Sequence, residues 1–318
     1  MVSRTQFHGD RAGVRKNGLR QKTLKRAIPC RGVGLHSGAV VEMTLHPAGA
    51  DAGIRFRRTD VTGRDPWIAA RYDRVVDTRL CTVIGNDDGV TVGTIEHLMA
   101  ALAGCEIDNA VVDIDAAEVP VMDGSSEPFV FLIECAGTVE LDAPRRAIEI
   151  RRPVTVGDAR RGLTLAPAEA FSVDFEIDFP SPVVAHSTLD VRLVNGTFKR
   201  EIAKARTFGF LEDAERLRAM GLALGGSLEN TVVVDGDRVL NEEGLRFDDE
   251  FVRHKVLDCV GDLYLAGAPI LGRVTATRSG HHTNNEVLRA LFADPTAYAI
   301  VEMTDTAQAY AEALPATA

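Results

Sequence analysis

His254, Asp258 and Asp262 stand at i, i+4 and i+8 within Phe251-Val-Arg-His-Lys-Val-Leu-Asp-Cys-Val-Gly-Asp-Leu-Tyr-Leu-Ala-Gly267. On a 3.6-residue period they form one stripe of ionisable side chains, provided the stretch is a helix. Its flanks predict one. Asp248, Asp249 and Glu250 precede it, where acids suit the positive end of a helix dipole, and Gly267 and Pro269 mark a stop. Phe251, Leu257, Val260, Leu263 and Tyr264 supply apolar surface beside the stripe. A lone His and Asp one turn apart are more often a solvated face than a site, and exposed carboxylates at this spacing repel by only roughly 0.2–0.5 kcal/mol. Buried beside so apolar a surface, the two acids need a cation or a protonated partner. One metal ion is within reach of both His254 and Asp258.

Of the eight histidines, His97, His254 and His281 occupy element starts or turns beside other ionisable residues. Two His and one Asp, with a fourth position left for water, make an open catalytic zinc set. They equally make the 2-His-1-carboxylate set of iron oxygenases. Glu96 separates the two readings, because next to His97 it offers a general base that a hydrolase needs and an oxygenase does not. An oxygenase should also hold its ligands on a β-barrel, usually with a His-x-Asp pair, which none of these residues forms. A metal-free binding or structural protein is the remaining alternative.

The elements that must position these residues read as strands first and helices later, twice over. Residues 23–30, 40–45, 53–58 and 81–84 are short β-branched runs between Gly, Pro, Asn and Asp. Gly32-Val-Gly-Leu-His-Ser-Gly38 is a turn-rich link, not a nucleotide loop, since no strand–GxGxxG–helix context surrounds it. Thr94 is placed to cap a helix whose Ile95, Leu98, Met99 and Leu102 recur at helical spacing, and Gly104 ends it. Residues 109–115 return as a strand. A second helix starts near Pro128 and stops at Gly137. Residues 141–146 read as a linker. Strands follow over 147–156, 162–165 and 171–179, then a β-α-β-like insert over 208–238, the stripe helix, a strand over 270–277, the turn Ser279-Gly-His-His282 and a helix over 285–292.

With 318 residues, 45% hydrophobic and 26% charged, the chain has core enough for two α+β domains, set here at 21–141 and 146–305. Residues 1–20 form a basic extension expected to be disordered, without the apolar core of a signal peptide, and 306–318 an Ala-rich flexible tail. A net charge of −10 argues against a nucleic-acid partner. No run of about 18 apolar residues exists to insert in a membrane. Five scattered cysteines without a C-x-x-C pair fit free thiols in a reducing compartment, the cytoplasm.

Six motifs, in order, carry a resemblance. They are Thr94-Ile-Glu-His-Leu-Met-Ala-Ala-Leu-Ala-Gly104, Val119-Pro-Val-Met-Asp-Gly-Ser-Ser126, Ala205-Arg-Thr-Phe-Gly-Phe210, Asn241-Glu-Glu-Gly-Leu-Arg-Phe247, Phe251-Val-Arg-His-Lys-Val-Leu-Asp258 and Ser279-Gly-His281. The chain resembles the UDP-3-O-acyl-N-acetylglucosamine deacetylase family of lipid A biosynthesis in Gram-negative bacteria, from about residue 21 to 302. The resemblance implies two α+β domains of related topology, with helices sandwiched between two outer sheets. It implies zinc, with ferrous iron as the cellular alternative, on His97, His254 and Asp258. It makes Glu96 the general base and His281 the general acid, Asp262 the residue that orients His281, and Thr207 the oxyanion stabiliser. It places Lys255, Phe208, Phe210, Phe179 and Arg278 against the substrate, the last two near its nucleotide, and makes 208–238 the wall of an acyl tunnel. A cytoplasmic enzyme, monomeric and acting on a UDP-sugar, is the expectation.

Overall fold

The computed structural model describes residues 18–194 and 196–304. Residues 1–17 of the expected extension and the whole expected tail lie outside them. Residues 18–20 are not extension: Gly18 bridges Thr304, and Arg20 opens the first strand. The run read as one strand over 23–30 is two, β1 (Arg20–Leu24) and β2 (Ile28–Val33), because it crosses between sheets at an exposed Lys25-Arg26 bend.

Alternation sets the first large sheet. In β3 (Val40–Pro47), Val41, Met43 and Leu45 are buried and their neighbours face outward. β4 (Ile54–Arg58) and β5 (Trp67–Ala69) extend the sheet, and β6 (Val75–Asp77), β7 (Val83–Gly85) and β8 (Thr91–Val92) form a small sheet of their own. Then come α1 (Glu96–Gly104), β9 (Ala110–Ile114) and α2 (Glu127–Ala136), which Gly137 ends at φ 70°. β10 (Thr138–Pro144) returns to pair with β1.

The expected linker over 141–146 is therefore strand almost throughout. β10 runs to Pro144, only Arg145 intervenes, and β11 (Arg146–Ile150) belongs to the second large sheet. Arg145 is fixed by ion pairs to Glu106 and Asp108, so a sequence rich in Pro and Arg reads as loose yet is pinned.

β12 (Val154–Gly157), β13 (Gly162–Pro167), β14 (Ser172–Asp178) and β15 (His186–Arg192) follow. The insert is β16 (Phe208–Phe210), α3 (Leu211–Ala219) and β17 (Val232–Asp235), with β16 and β17 parallel and β18 (Arg238–Val239) closing a hairpin. The chain ends in α4 (Glu250–Tyr264), β19 (Ile270–Thr277), α5 (His281–Ala293) and β20 (Tyr298–Glu302). The last helix begins four residues before its sequence-predicted start, so His281 sits in its first turn, not in a loop.

The two large sheets share one plan. In the first, β2-β3-β9-β4-β5 run side by side, all pairs antiparallel except β4 with β9. In the second, β12-β13-β19-β14-β15 repeat that order, with only β14 and β19 parallel; β11 and β20 are added. The fold is α+β, two units of related topology with their helices between the sheets. α1 and α4 are the equivalent helices, each preceding the central strand of its sheet. Both are buried nearly all round, as helices between layers must be. They touch at Gly261, where any Cβ would run into the Glu96 carbonyl. Among the described residues no helix is long and apolar enough to cross a membrane. All five thiols are free.

Candidate active site

α4 carries the stripe inward. His254, Asp258 and Asp262 are all buried on its face toward α1 and α5. From α1, the first turn supplies Glu96 and His97, also buried. His254 Nε2 lies 3.3 Å and His97 Nε2 3.7 Å from Asp258 Oδ1. Ligand atoms of the three fall within 4.8 Å of one another.

The donor set fits a divalent metal. Asp258 Oδ1 is buried between two imidazoles with no hydrogen-bond partner, a state that is costly unless a cation completes it. The Nδ1–H of His254 donates to the Ala205 carbonyl at 3.1 Å, which leaves the Nε2 lone pair facing the cluster. Burial, then the neighbouring His254, holds the His97 pKa down at about 3. Burial lowers His254 as well. Both rings are thus neutral near pH 7, as ligation requires. Burial would raise Asp258, but the positive charge around it, with Lys255 in contact, outweighs burial and holds the carboxylate well below its usual range.

Glu96 and His281 face each other in the cleft that this cluster lines, Oε1 to Nε2 at 3.8 Å. The backbone N–H of Thr82 donates to Glu96 Oε2 at 3.1 Å. Burial raises the Glu96 pKa to about 7, with His281 pulling the other way. His281 Nδ1 donates to Asp262 Oδ2 at 2.8 Å. Asn284 Nδ2 and the Thr82 hydroxyl donate to the same carboxylate at 2.8 and 2.5 Å. Burial alone would push His281 down, yet Asp262 and Glu96 overcome it and raise its pKa to about 9. The imidazolium is therefore the form present at neutral pH.

The segment before the insert is locked to α4. Glu250, placed by sequence among acids suiting the helix dipole, is fully buried and takes the Arg206 Nε–H and the Arg206 backbone N–H, each at 2.9 Å. That pair fixes Ala205, whose carbonyl orients His254, and Thr207 beside it. Thr94 departs from expectation too. It caps nothing: Ile95 precedes the helix, and the Thr94 hydroxyl donates to Glu118 at 3.0 Å from a left-handed backbone, φ 54°.

One cleft of about 1050 Å³ gathers every sequence-predicted residue but Asp262, which lies behind its wall: Glu96, His97, Phe179, Thr207, Phe208, Phe210, His254, Lys255, Asp258, Arg278 and His281. Lys255 Nζ is 2.7 Å from Asp258 Oδ2, so this lysine braces the ligand carboxylate at the cleft surface. Phe208 stands edge-on to Phe251 and Phe179 at 4.9 and 5.6 Å between centroids, and Phe210 lies 6.2 Å from Phe179. Together they make an aromatic wall beside His254. Arg278 is half-exposed, 3.5 Å from Asp178. Sequence reasoning missed Arg79, Arg160, Arg161, His36 and His282, which line the same cleft. Arg160-Arg161 sits in the β12–β13 hairpin, and no spacing rule points a hairpin tip at a distant pocket. A second cavity, of about 790 Å³ behind the C-terminal ends of α1 and α4, holds none of the candidate residues.

Comparison with known proteins agrees with this arrangement. The family model for UDP-3-O-acyl N-acetylglycosamine deacetylase matches residues 21–293. A UDP-3-O-acyl-N-acetylglucosamine deacetylase of Phenylobacterium zucineum is 52% identical over 280 residues, 88% of this chain and 96% of its own. One from Acidithiobacillus ferrooxidans is 52% identical over 289 residues, covering 90% and 94%. One from Idiomarina loihiensis is 49% identical over 287, covering 89% and 93%. With the match running through both sheets and every element of the cleft, the chain belongs to the UDP-3-O-acyl-N-acetylglucosamine deacetylase family.

Proposed function

We propose that the protein hydrolyses the N-acetyl group of a UDP-3-O-(3-hydroxyacyl)-N-acetylglucosamine, giving acetate and the free amine, as the committed step of lipid A biosynthesis. The observation that carries this reading is the pairing of Glu96 with His281 in the one cleft that the His97–His254–Asp258 cluster also lines. Zinc, or ferrous iron in the cell, held by those three residues would supply Lewis acidity toward water and the acetamide carbonyl.

The remaining work falls to the chain. Glu96, whose raised pKa of about 7 suits a base that must take up a proton and pass it on, accepts the proton of the attacking water. Thr207 donates toward the oxygen that gains charge, an interaction strongest in the transition state. His281 gives its Nε2 proton to the leaving amine. Its Nδ1–H stays on Asp262, which fixes the ring and favours its charged form. Lys255 reaches the substrate from the cleft wall. The aromatic wall and the 208–238 insert hold the acyl chain, and Phe179, Arg278 and the newly found Arg160 and Arg161 suit the nucleotide diphosphate.

Division of the chain at 141–146 into two domains, a monomeric state and a cytoplasmic location without nucleic acid belong to the same proposal. The test is acetate release from a panel of UDP-3-O-acyl-N-acetylglucosamines by metal-quantified protein. Metal-loaded protein that released none would overturn the reading.

A further inference from the structure

The Gly32–Gly38 link has no place in the chemistry above, yet its backbone converges on one buried carboxylate. Glu118 is 6% exposed and accepts three hydrogen bonds. The His36 N–H donates to Oε1 at 2.8 Å, the Ser37 N–H to Oε2 at 2.9 Å, and the Thr94 hydroxyl to Oε1 at 3.0 Å. Oxygen and turn are in van der Waals contact, since a Cβ on Gly34 would collide with Glu118 Oε2.

Each partner leads to a different part of the cleft. Thr94 stands in the left-handed region, where a β-branched residue is strained, and two residues later come Glu96 and His97. Gly93 is tied to the same segment, its N–H bonded to the Ala117 carbonyl and its carbonyl to the Val119 N–H. On the other side, the turn carries the insert: the Gly225 N–H donates to the Leu35 carbonyl at 3.0 Å and the Leu224 N–H to the His36 carbonyl at 3.2 Å. A Cβ on Gly225 would strike the Gly34 carbonyl, so insert and turn meet backbone to backbone. Leu35, His36, Thr94 and Leu217 all line the cleft.

We propose that Glu118 is a positioning residue, its one carboxylate linking the turn that delivers Glu96 and His97 to the 34–38 link against which the insert rests. An acyl chain seated on the insert presses through that link on the entry to α1. Remote binding is thereby converted into placement of the base, which shows as kcat and not only as KM. A strained residue such as Thr94 keeps its conformation only while its surroundings hold it, and the hydroxyl–carboxylate bond is that hold.

The proposal rests on the deacetylase reading, and the test keeps the two apart. Full-length wild type, Glu118→Gln, Thr94→Val and Thr94→Ser are compared on long-chain and short-chain UDP-3-O-acyl-N-acetylglucosamines, with metal content measured throughout. Wild type should show a kcat about tenfold higher for the long chain. Glu118→Gln and Thr94→Val should keep their metal and bring the two kcat values together, while Thr94→Ser restores the difference. A carboxylate that only stabilises the fold would lower both substrates equally and lower Tm, and that result overturns the proposal, as does a wild type with no chain-length effect on kcat. Thr94→Val carries the test by itself if Glu118→Gln does not fold. Should wild type cleave neither substrate, the functional reading fails and amide hydrogen exchange decides this one. Glu118→Gln must speed exchange at both 95–99 and 222–226; a change confined to 34–38 refutes the link.

Discussion

α1 and α4 occupy the same place in two sheets of the same strand order, yet they use their lengths differently. α1 has nine residues and acts through its first turn, where Glu96 and His97 are adjacent. α4 has fifteen and acts through its middle, where His254, Asp258 and Asp262 ascend one face. A helix end can offer neighbouring residues in sequence to one pocket, because its first turn is not covered by a preceding one. A helix middle offers chiefly residues three or four apart, and Lys255 joins its neighbour His254 in the cleft as a long side chain that bends to Asp258. The cleft needs both kinds of presentation, and the crossing at Gly261 brings them together. Duplicated topology thus supplies a frame, while the chemistry depends on where along each helix the two meet.

The largest effect should come from breaking the cluster on the α4 side. His254→Ala and Asp258→Ala should lose metal and turnover together, while circular dichroism and Tm remain close to wild type. A full equivalent of metal in both variants would remove these residues as ligands. His97→Ala sharpens the comparison, since it leaves two donors on one helix: weaker metal retention and no turnover are expected, measured by metal titration.

Next in size are the two residues proposed to carry protons, one from α1 and one from α5. Glu96→Ala and His281→Ala should each lower kcat by roughly two to four orders of magnitude and leave metal content unchanged. Near-full turnover in either variant would reassign its role.

How much of this could be read from sequence differs between the same regions. The α4 stripe was legible because a long helix converts spacing directly into a face; its burial was left open beside a solvated-face reading, and the structure buries it. The α1 side was legible as residue types but not as geometry. Thr94 looks like a cap, and only the distant Glu118 makes it a strained turn instead. Glu250 looks like a dipole-matching acid, and only the distant Arg206 makes it a buried anchor. β5, β6, β8, β15 and β20 were missed because strands of two to seven residues, mostly half-exposed, lack a run long enough to alternate clearly. The failures at Thr94 and Glu250 share one cause: a partner far away in sequence decides what a locally ambiguous residue does. The meeting of residues 97 and 254, on which the site turns, was implied by resemblance and not by spacing.

A smaller effect is expected from uncoupling α4 from α5. Asp262→Asn should retain metal and lower kcat roughly tenfold to a hundredfold. The sign of its pH effect is fixed. As the proposed general acid His281 acts in its protonated form, its pKa is raised to about 9 by the carboxylates around it, and activity should be lost as pH rises through that value. Removing the Asp262 charge lowers the pKa, so the alkaline limb of kcat/KM should move to lower pH. Because the two residues form one unit, Asp262→Asn with His281→Ala should be scarcely worse than His281→Ala. Fully additive losses would show that Asp262 works elsewhere.

Smallest of all should be Thr82→Val, although Thr82 bonds to both sides of the comparison. Its N–H serves Glu96 and its hydroxyl serves Asp262. Valine keeps the first contact and the shape but removes the second, so the α1 side is untouched and only the α4–α5 side is perturbed. A hydrogen bond to a charged group is worth roughly 1.5–3 kcal/mol, but His281 and Asn284 still hold the carboxylate, which limits the loss of kcat to about tenfold or less. The pH effect should oppose that of Asp262→Asn. Without the hydroxyl, the carboxylate presents its charge to the imidazolium less shielded, so the alkaline limb should hold or rise. Thr82→Ser should restore wild-type behaviour. A limb that falls in Thr82→Val would mean that the hydroxyl acts by holding the Asp262 carboxylate in place against His281, and the orientation of His281 would then depend on Thr82 as much as on α4.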